Sequence, residues 1–202
     1  MLSSEHIPTR SAFLQLREEH GVVLEAYDFL DEKRLLLAAE ILRQLKRYEK
    51  LLAEYKKTQL EAKQALAATV KRHGLHGTQV YPAHYLEDCK FNTNKSRFMN
   101  VRLIDSELSL PEDISPGIVC NPSPEADHCR QLFLDLLVTA GKLSGISGNI
   151  YRLSAEYKRT ERRARALENV VIPEIEEDLR KMSAHIEELD QEDVIRVFMK
   201  QA

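Results

Sequence analysis

The sequence predicts a mainly α fold: a long antiparallel two-helix coiled coil with a short β-hairpin and irregular stretch between its helices. Three observations carry that expectation. From Thr9 to His73 there is no proline and one glycine, Gly21, while apolar residues recur in alternating steps of three and four. From about Glu125 to the C-terminus the same period returns over a similar length. Between the two, glycine, proline and asparagine punctuate shorter β-favouring runs.

The first helix is expected over 10–73, after a tail at 1–9. Its seam reads Phe13, Leu16, Val23, Tyr27, Leu30, Leu37, Ile41, Leu45, Tyr48, Leu52, Tyr55, Ala62 and Leu66, interrupted by His20, Arg34 and Gln59. Two successive four-residue steps between Leu37 and Leu45 mark a local shift of the heptad. Thr9 can cap the start, and Gly74 stands where a left-handed residue would end the helix. Such a helix would be on the order of 95 Å long at about 1.5 Å per residue, more than a compact domain of this size needs.

The middle segment, 74–124, contains Phe98-Met99-Asn100-Val101-Arg102-Leu103-Ile104 as a β-favouring run. Pro111, Pro116, Pro122 and Pro124 forbid a continuous helix there, so a hairpin with loops is expected. The second helix, 125–202, carries Leu132, Leu136, Leu143, Ile150, Tyr157, Ala164, Leu167, Val171, Ile175, Leu179, Met182, Ile186 and Leu189. Two narrow apolar seams of matching length are most simply buried against each other, antiparallel. Pro173 lies within the second pattern, where the missing N–H and the crowded preceding turn predict a local kink. No internal repeat indicates a solenoid.

Composition narrows the function classes. The chain has 202 residues, 29 Lys+Arg against 32 Asp+Glu, and a formal net charge of -3. That balance makes neither nucleic acid nor an anionic membrane the expected main partner. Met1–Arg10 lacks the basic start and apolar run of a signal peptide, and no segment approaches the roughly 20 apolar residues that span a bilayer. A cytoplasmic or peripherally bound protein is expected. Cys89, Cys120 and Cys129 form no C-x-x-C pair, which fits ordinary thiols in a reducing compartment.

Two motifs take the reading beyond a coiled coil. Pro8-Thr9-Arg10 opens the first helix and is followed by Leu14, Leu16, Gly21 and Phe29-Leu30-Asp31-Glu32-Lys33-Arg34. Further on stands Arg162-Arg163-Ala164-Arg165-Ala166-Leu167-Glu168-Asn169-Val170-Val171-Ile172-Pro173. The first resembles the P-T-[KR] start and L-L-K-x-K-R-D-x-L element of the D subunits of V-type and A-type ATPases. The second resembles that family's R-R-V-N-A-L-E-x-V-x-I-P signature, and a proline inside a heptad helix makes the match specific.

The resemblance implies a non-catalytic central-stalk subunit, a rotor shaft that transmits torque between a membrane ion-translocating ring and a catalytic hexamer. ATP synthesis or hydrolysis would thereby be coupled to proton or sodium transport. It implies as partners the catalytic and regulatory subunits of the hexamer, a small central-stalk subunit, and a socket subunit above the membrane ring. It implies no cofactor and no membrane insertion. The interface residues it assigns are Pro8, Thr9, Arg10, Lys33, Arg34, Arg162, Arg163, Ala166, Leu167, Glu168, Ile172, Pro173, Arg196 and Phe198. Several positions depart from the family pattern: Asp31 replaces a lysine, Leu35 an aspartate, and Ala164-Arg165 a Val-Asn pair. The usual basic C-terminal stretch is reduced to Asp190-Gln191-Glu192-Asp193-Val194-Ile195-Arg196-Val197-Phe198-Met199-Lys200. The alternative is a coiled-coil adaptor or stalk protein of another export or secretion ATPase, against which the Arg165 to Pro173 stretch argues.

Other chemistry finds little support. Gly141-Lys142 is followed by Leu143, and Leu136 stands where a P-loop needs its first glycine. Gly141, Gly145 and Gly148 are expected to let helices approach closely, each at a helix-propensity cost of about 1 kcal/mol relative to alanine. His73, His76, His84 and Cys89, with Asp88 nearby, lack the paired spacing of structural zinc ligands, so no metal is expected. The run Lys158 to Arg165 reads as a solvated helix face or an interaction patch. Tyr48, Tyr55 and Tyr157 fall on the seams and are expected in the core. No nucleophile and base stand at a recognisable spacing for a hydrolase.

Overall fold

The computed structural model describes residues 9–81, 89–110 and 122–201. In chain order it contains helix α1 (Arg10–Val80), strands β1 (Lys90–Phe98) and β2 (Val101–Ser109), helix α2 (Pro124–Ala166), a π-helical turn (Leu167–Val171) and helix α3 (Ile172–Gln201). The fold is thus mainly α, with a short antiparallel hairpin between long helical segments. It divides into two compact units, one formed by Met1–Leu36 with Tyr157–Ala202, the other by Leu37–Glu156.

The first unit pairs the start of α1 with the end of α2 and α3. Thr9 caps α1: its hydroxyl accepts the Ala12 N–H at 3.2 Å, and its carbonyl accepts that of Phe13 at 3.0 Å. Leu16, Ile175 and Met182 form the buried cluster, with Ala12, Phe13, Val23, Val171 and Leu179 packed against it. Arg10 pairs with Asp190, and His20 lies 3.7 Å from Glu176. Rising numbers on α1 therefore meet falling numbers on the other strand, which is antiparallel pairing. At Pro173 the sequence predicts a kink, and the chain answers with the π-turn just before it. Ile172 donates its N–H to the Leu167 carbonyl, five residues back. One extra residue in that turn relieves the carbonyl that a proline ring would otherwise crowd.

The second unit pairs the rest of α1 with α2 and carries the hairpin. Ala62, Leu132 and Leu136 are its buried cluster, flanked by Tyr55 and Ala65. The Thr69 hydroxyl is shared between the Ala65 carbonyl at 2.9 Å and the Glu125 carbonyl of α2 at 3.2 Å. Gly74 adopts φ 72 and ψ 171, a non-helical conformation that only glycine holds without strain, and it breaks the helix at the position where an end was expected. A further helical stretch runs to Val80 and stops at Tyr81, ahead of Pro82, since a residue before proline is disfavoured in helical geometry. α2 begins on a strong signal: Ser123 caps the Ala126 N–H at 3.2 Å, Pro124 takes the first helical position, and Glu125 and Asp127 lie in the first turn.

The seam differs from the expected one at four places. Gln44, not Leu45, is buried, and Leu45 is 38 % exposed. Gln44 can be inside because its amide donates to Glu40 at 2.7 Å, while Glu40 takes two 2.7 Å bonds from Arg43. Thr69 is buried whereas Leu66 is partly exposed, and Leu189 is exposed. In the middle of α2 Ile146, Asn149 and Leu153 are buried, with Leu143 and Ile150 only half-buried. The hairpin turn falls at Met99-Asn100, inside the β-favouring run. Both residues have positive φ (44 and 67), the pattern of a two-residue type I′ turn. Asn100 suits that geometry, but methionine gives no hint of it.

Candidate functional site

The residues assigned to interfaces fall mainly in the first unit. Pro8 lies outside the described residues. Thr9 is the cap described above, and Arg10 holds Asp190. Lys33 and Arg34 are half-buried, with Arg34 paired to Asp31 at 2.5 Å. The Arg162–Pro173 signature straddles the π-turn. Thr160 and Ala164 point into the seam, while Arg162, Arg163 and Arg165 stay on the exposed face, where Arg165 pairs with Glu161 at 2.7 Å. Leu167 and Ile172 are half-buried; Ala166, Glu168 and Pro173 are exposed. Beyond the Arg10–Asp190 pair, α3 continues with residues 191–199 all exposed. Val194, Ile195, Val197, Phe198 and Met199 are each more than half exposed there, and Arg196 reaches Glu192 at 3.6 Å and Asp193 at 3.9 Å. The Arg10–Asp190 contact thus brings Thr9 and Arg10 to the base of the segment bearing Arg196 and Phe198.

The second unit contains a docking site that sequence reasoning misassigned. Gly141 and Gly145 do not admit a helix; they admit β2. A Cβ on Gly145 would stand 2.9 Å from the Ser106 nitrogen and 3.1 Å from the Ile104 carbonyl, and would collide with the Ser106 hydroxyl. Ser106 donates to the Gly141 carbonyl at 2.6 Å. Asn149, fully buried, accepts the Ile104 N–H at 2.7 Å and donates to the Ile104 carbonyl at 3.0 Å, so its amide acts as a neighbouring strand would. Arg152 donates to the same Asn149 oxygen at 2.8 Å. The four-residue spacing of Gly141, Gly145 and Asn149 puts them on one helix face, the one signal that could have found the site. Gly148 lies against Arg152 instead.

Beside the hairpin, a mixed-charge cleft of about 390 Å³ is lined by Arg47, Asn94, Asp105, Glu107 and Lys142. Its charges answer one another, Lys142 with Glu107 at 3.3 Å and Arg47 with Asp105 at 3.8 Å. A second groove, about 330 Å³, runs between α1 and α2 and is lined by Tyr55, Gln59, Lys63, Phe133 and Leu137. Tyr48 and Tyr55 are half-buried in this unit, and Tyr157 is half-buried in the other.

The histidine-rich stretch is structural where it is described. His73 Nε2 is 2.7 Å from the Ser123 hydroxyl, and its ring sits 5.6 Å from that of Tyr81. His73 thereby braces the cap of α2. Tyr81 accepts the Ser123 N–H at 3.3 Å and lies under Arg130, 5.1 Å from the ring centre. His76 is exposed, and His84 and Asp88 lie outside the described residues, as do Cys120, Pro111 and Pro116. Among the described residues no three His, Cys, Asp or Glu side chains group as metal ligands. Burial raises the Cys129 thiol pKa, and a hydrogen bond with Thr69 opposes that. Among the described residues no helix is long and apolar enough to cross a membrane.

A family described as the D subunit of ATP synthase matches residues 12–202. The chain is 25 % identical over 190 residues to the D subunit of the V-type ATP synthase of Thermotoga neapolitana, covering 94 % of each chain. It is 26 % identical to the D subunit of the A-type ATP synthase of Archaeoglobus fulgidus, over 94 % of this chain and 93 % of that one. With the corresponding A-type D subunit of Methanopyrus kandleri it shares 25 % identity over 94 % of this chain and 83 % of that one. The paired apolar seams, the intervening hairpin and the match across nearly the whole length agree: this chain belongs to the D-subunit family of V-type and A-type ATP synthases.

Proposed function

We propose that this protein is the non-catalytic central shaft of its rotary ATPase, carrying torque between the catalytic hexamer and the membrane ion-translocating ring. The observation that supports this most is the bare end of α3. An amphipathic helix normally buries its bulky residues, but Val194, Ile195, Val197, Phe198 and Met199 have no cover in the isolated chain. In an assembly that end meets the catalytic and regulatory subunits of the hexamer. The 37–156 unit takes the small central-stalk partner and the socket subunit above the ring, with the Phe133–Leu137 groove as an apolar seat. The shaft is thereby peripheral to the membrane, on the cytoplasmic side.

A shaft must resist twisting, and the chain has two means of doing so. Apolar seams hold its helices side by side, and cross-element bonds such as Thr69 to Glu125 and Asn149 to Ile104 oppose sliding. The experiment is truncation of the chain from Val194 onward, followed by reconstitution with the hexamer and the small partner. ATP-driven ion transport per ATP hydrolysed should fall while capture of the small partner persists. Equal loss of both would remove the assigned polarity, and unchanged coupling would remove the shaft role of this end.

A further inference from the structure

We propose that the outer edge of β1 is a strand-addition site that accepts an extended acidic segment of a neighbouring subunit. The hairpin presents its two edges to different surroundings. In the antiparallel register, Lys95 faces Ile104 and Arg97 faces Arg102. The Ile104 N–H and C=O are turned away from β1, because both are taken by Asn149. Residues opposite each other share the same state in an antiparallel ladder, and that state alternates along the strand. The N–H and C=O groups of Phe91, Thr93, Lys95 and Arg97 therefore point away from β2. The edge of β2 is covered by α2, whereas Lys90 through Arg97 are exposed throughout.

Charge identifies the occupant. β1 carries Lys90, Lys95 and Arg97 and no acidic residue. Cross-strand partners and residues two apart share a face, so Lys95, Arg97 and Arg102 stand together at the turn end of the hairpin. Directly opposed like charges destabilise a hairpin, and neither Arg97 nor Arg102 has an anionic partner among the described residues. The same cations repel a second copy of β1, as edge lysines do in guarding sheets against self-association. An incoming strand with glutamate or aspartate at alternate positions would satisfy the open backbone groups and neutralise this face at once.

The test uses the full chain and a labelled octapeptide of alternating valine and glutamate, with its lysine counterpart and a short polyphosphate as controls. Fluorescence anisotropy should show binding of the acidic peptide only, weakened roughly tenfold by the double variant Arg97→Glu/Arg102→Glu. Amide exchange at Thr93, Lys95 and Arg97 should slow in the complex. Lys95→Pro removes one outward N–H and no hairpin bond, so it should abolish binding while the unfolding temperature stays near the parent value. The proposal is overturned if those amides stay unprotected, if polyphosphate binds as tightly as the acidic peptide, or if a folded Lys95→Pro chain binds unchanged. Should Lys95→Pro prove unfolded, the charge-reversed variant and the exchange pattern decide between the same outcomes.

Discussion

The two units are built from the same pairing of helices but are held together differently. In the 1–36/157–202 unit the inner cluster is Leu16, Ile175 and Met182, and the one buried polar residue among those described is Thr160. In the 37–156 unit Glu40, Gln44, Thr69, Ser106, Ser123 and Asn149 are all buried, each with a hydrogen-bond partner. An apolar seam holds helices together without strongly choosing a register, since one turn of slip still offers apolar contact. A buried polar group accepts only the position in which its partner is met. The hairpin-bearing unit is thus specified by its bonds, and the other by its packing.

Removing packing from the first unit should have the largest effect. Leu16→Ala is expected to cost about 3 kcal/mol of stability, read from chemical unfolding of the purified chain. A cost below that of an exposed leucine such as Leu14→Ala would show the seam to be less tight than its burial implies. Next comes the hairpin seat. Gly145→Ala should cost about 2 kcal/mol, because the Ser106 nitrogen and Ile104 carbonyl are backbone atoms that cannot swing aside. Asn149→Ala should cost a similar amount, about 2 kcal/mol, by leaving the Ile104 N–H and C=O without partners. The double variant should cost less than the two singles together, since both loosen the same contact.

The smaller effects separate the units further. Arg43, followed by Gln44, holds the Glu40 carboxyl below the usual glutamate range by hydrogen bonding, against the opposing push of burial. A lowered folded pKa means the stabilisation is complete above the unfolded value near about 4.3 and is lost as pH falls through the folded one. Thermal unfolding from pH 6 down to pH 3 should show a steeper fall for the parent than for Glu40→Gln. In the first unit, Gly21 has no atom within 4 Å of where a Cβ would stand. Gly21→Ala should therefore raise stability by about 1 kcal/mol, the opposite sign from Gly145→Ala, in the same unfolding assay.

Much of this architecture is legible in the sequence. A period of three and four residues over Thr9 to His73, interrupted by no proline, demands a long helix whose apolar stripe needs a partner, and the second such stripe supplies it. Pro173 announces a disturbance, and the chain provides a π-turn beside it. Local chemistry likewise marks Thr9 as a cap. The positions that misled are those where a polar side chain is buried because it meets a bonding partner. Gln44 displaces Leu45 because its amide N–H donates to Glu40, which Arg43 holds in turn, and a hydropathy pattern assigns a buried glutamine no place.

The sequence by itself thus determined which segments are helical, where they start, and that their apolar faces must be covered, because those properties arise from neighbours within one or two turns. Only the tertiary structure decided what the glycines of α2 receive, why Asn149 is buried, and which edge of the hairpin stays open. Each of those depends on groups about 35 to 45 residues apart in the chain, Ser106 with Gly141 and Ile104 with Asn149. No local pattern encodes such a meeting, because the backbone of β2 offers the same N–H and C=O at every residue, and only the packed arrangement selects the one that Asn149 meets.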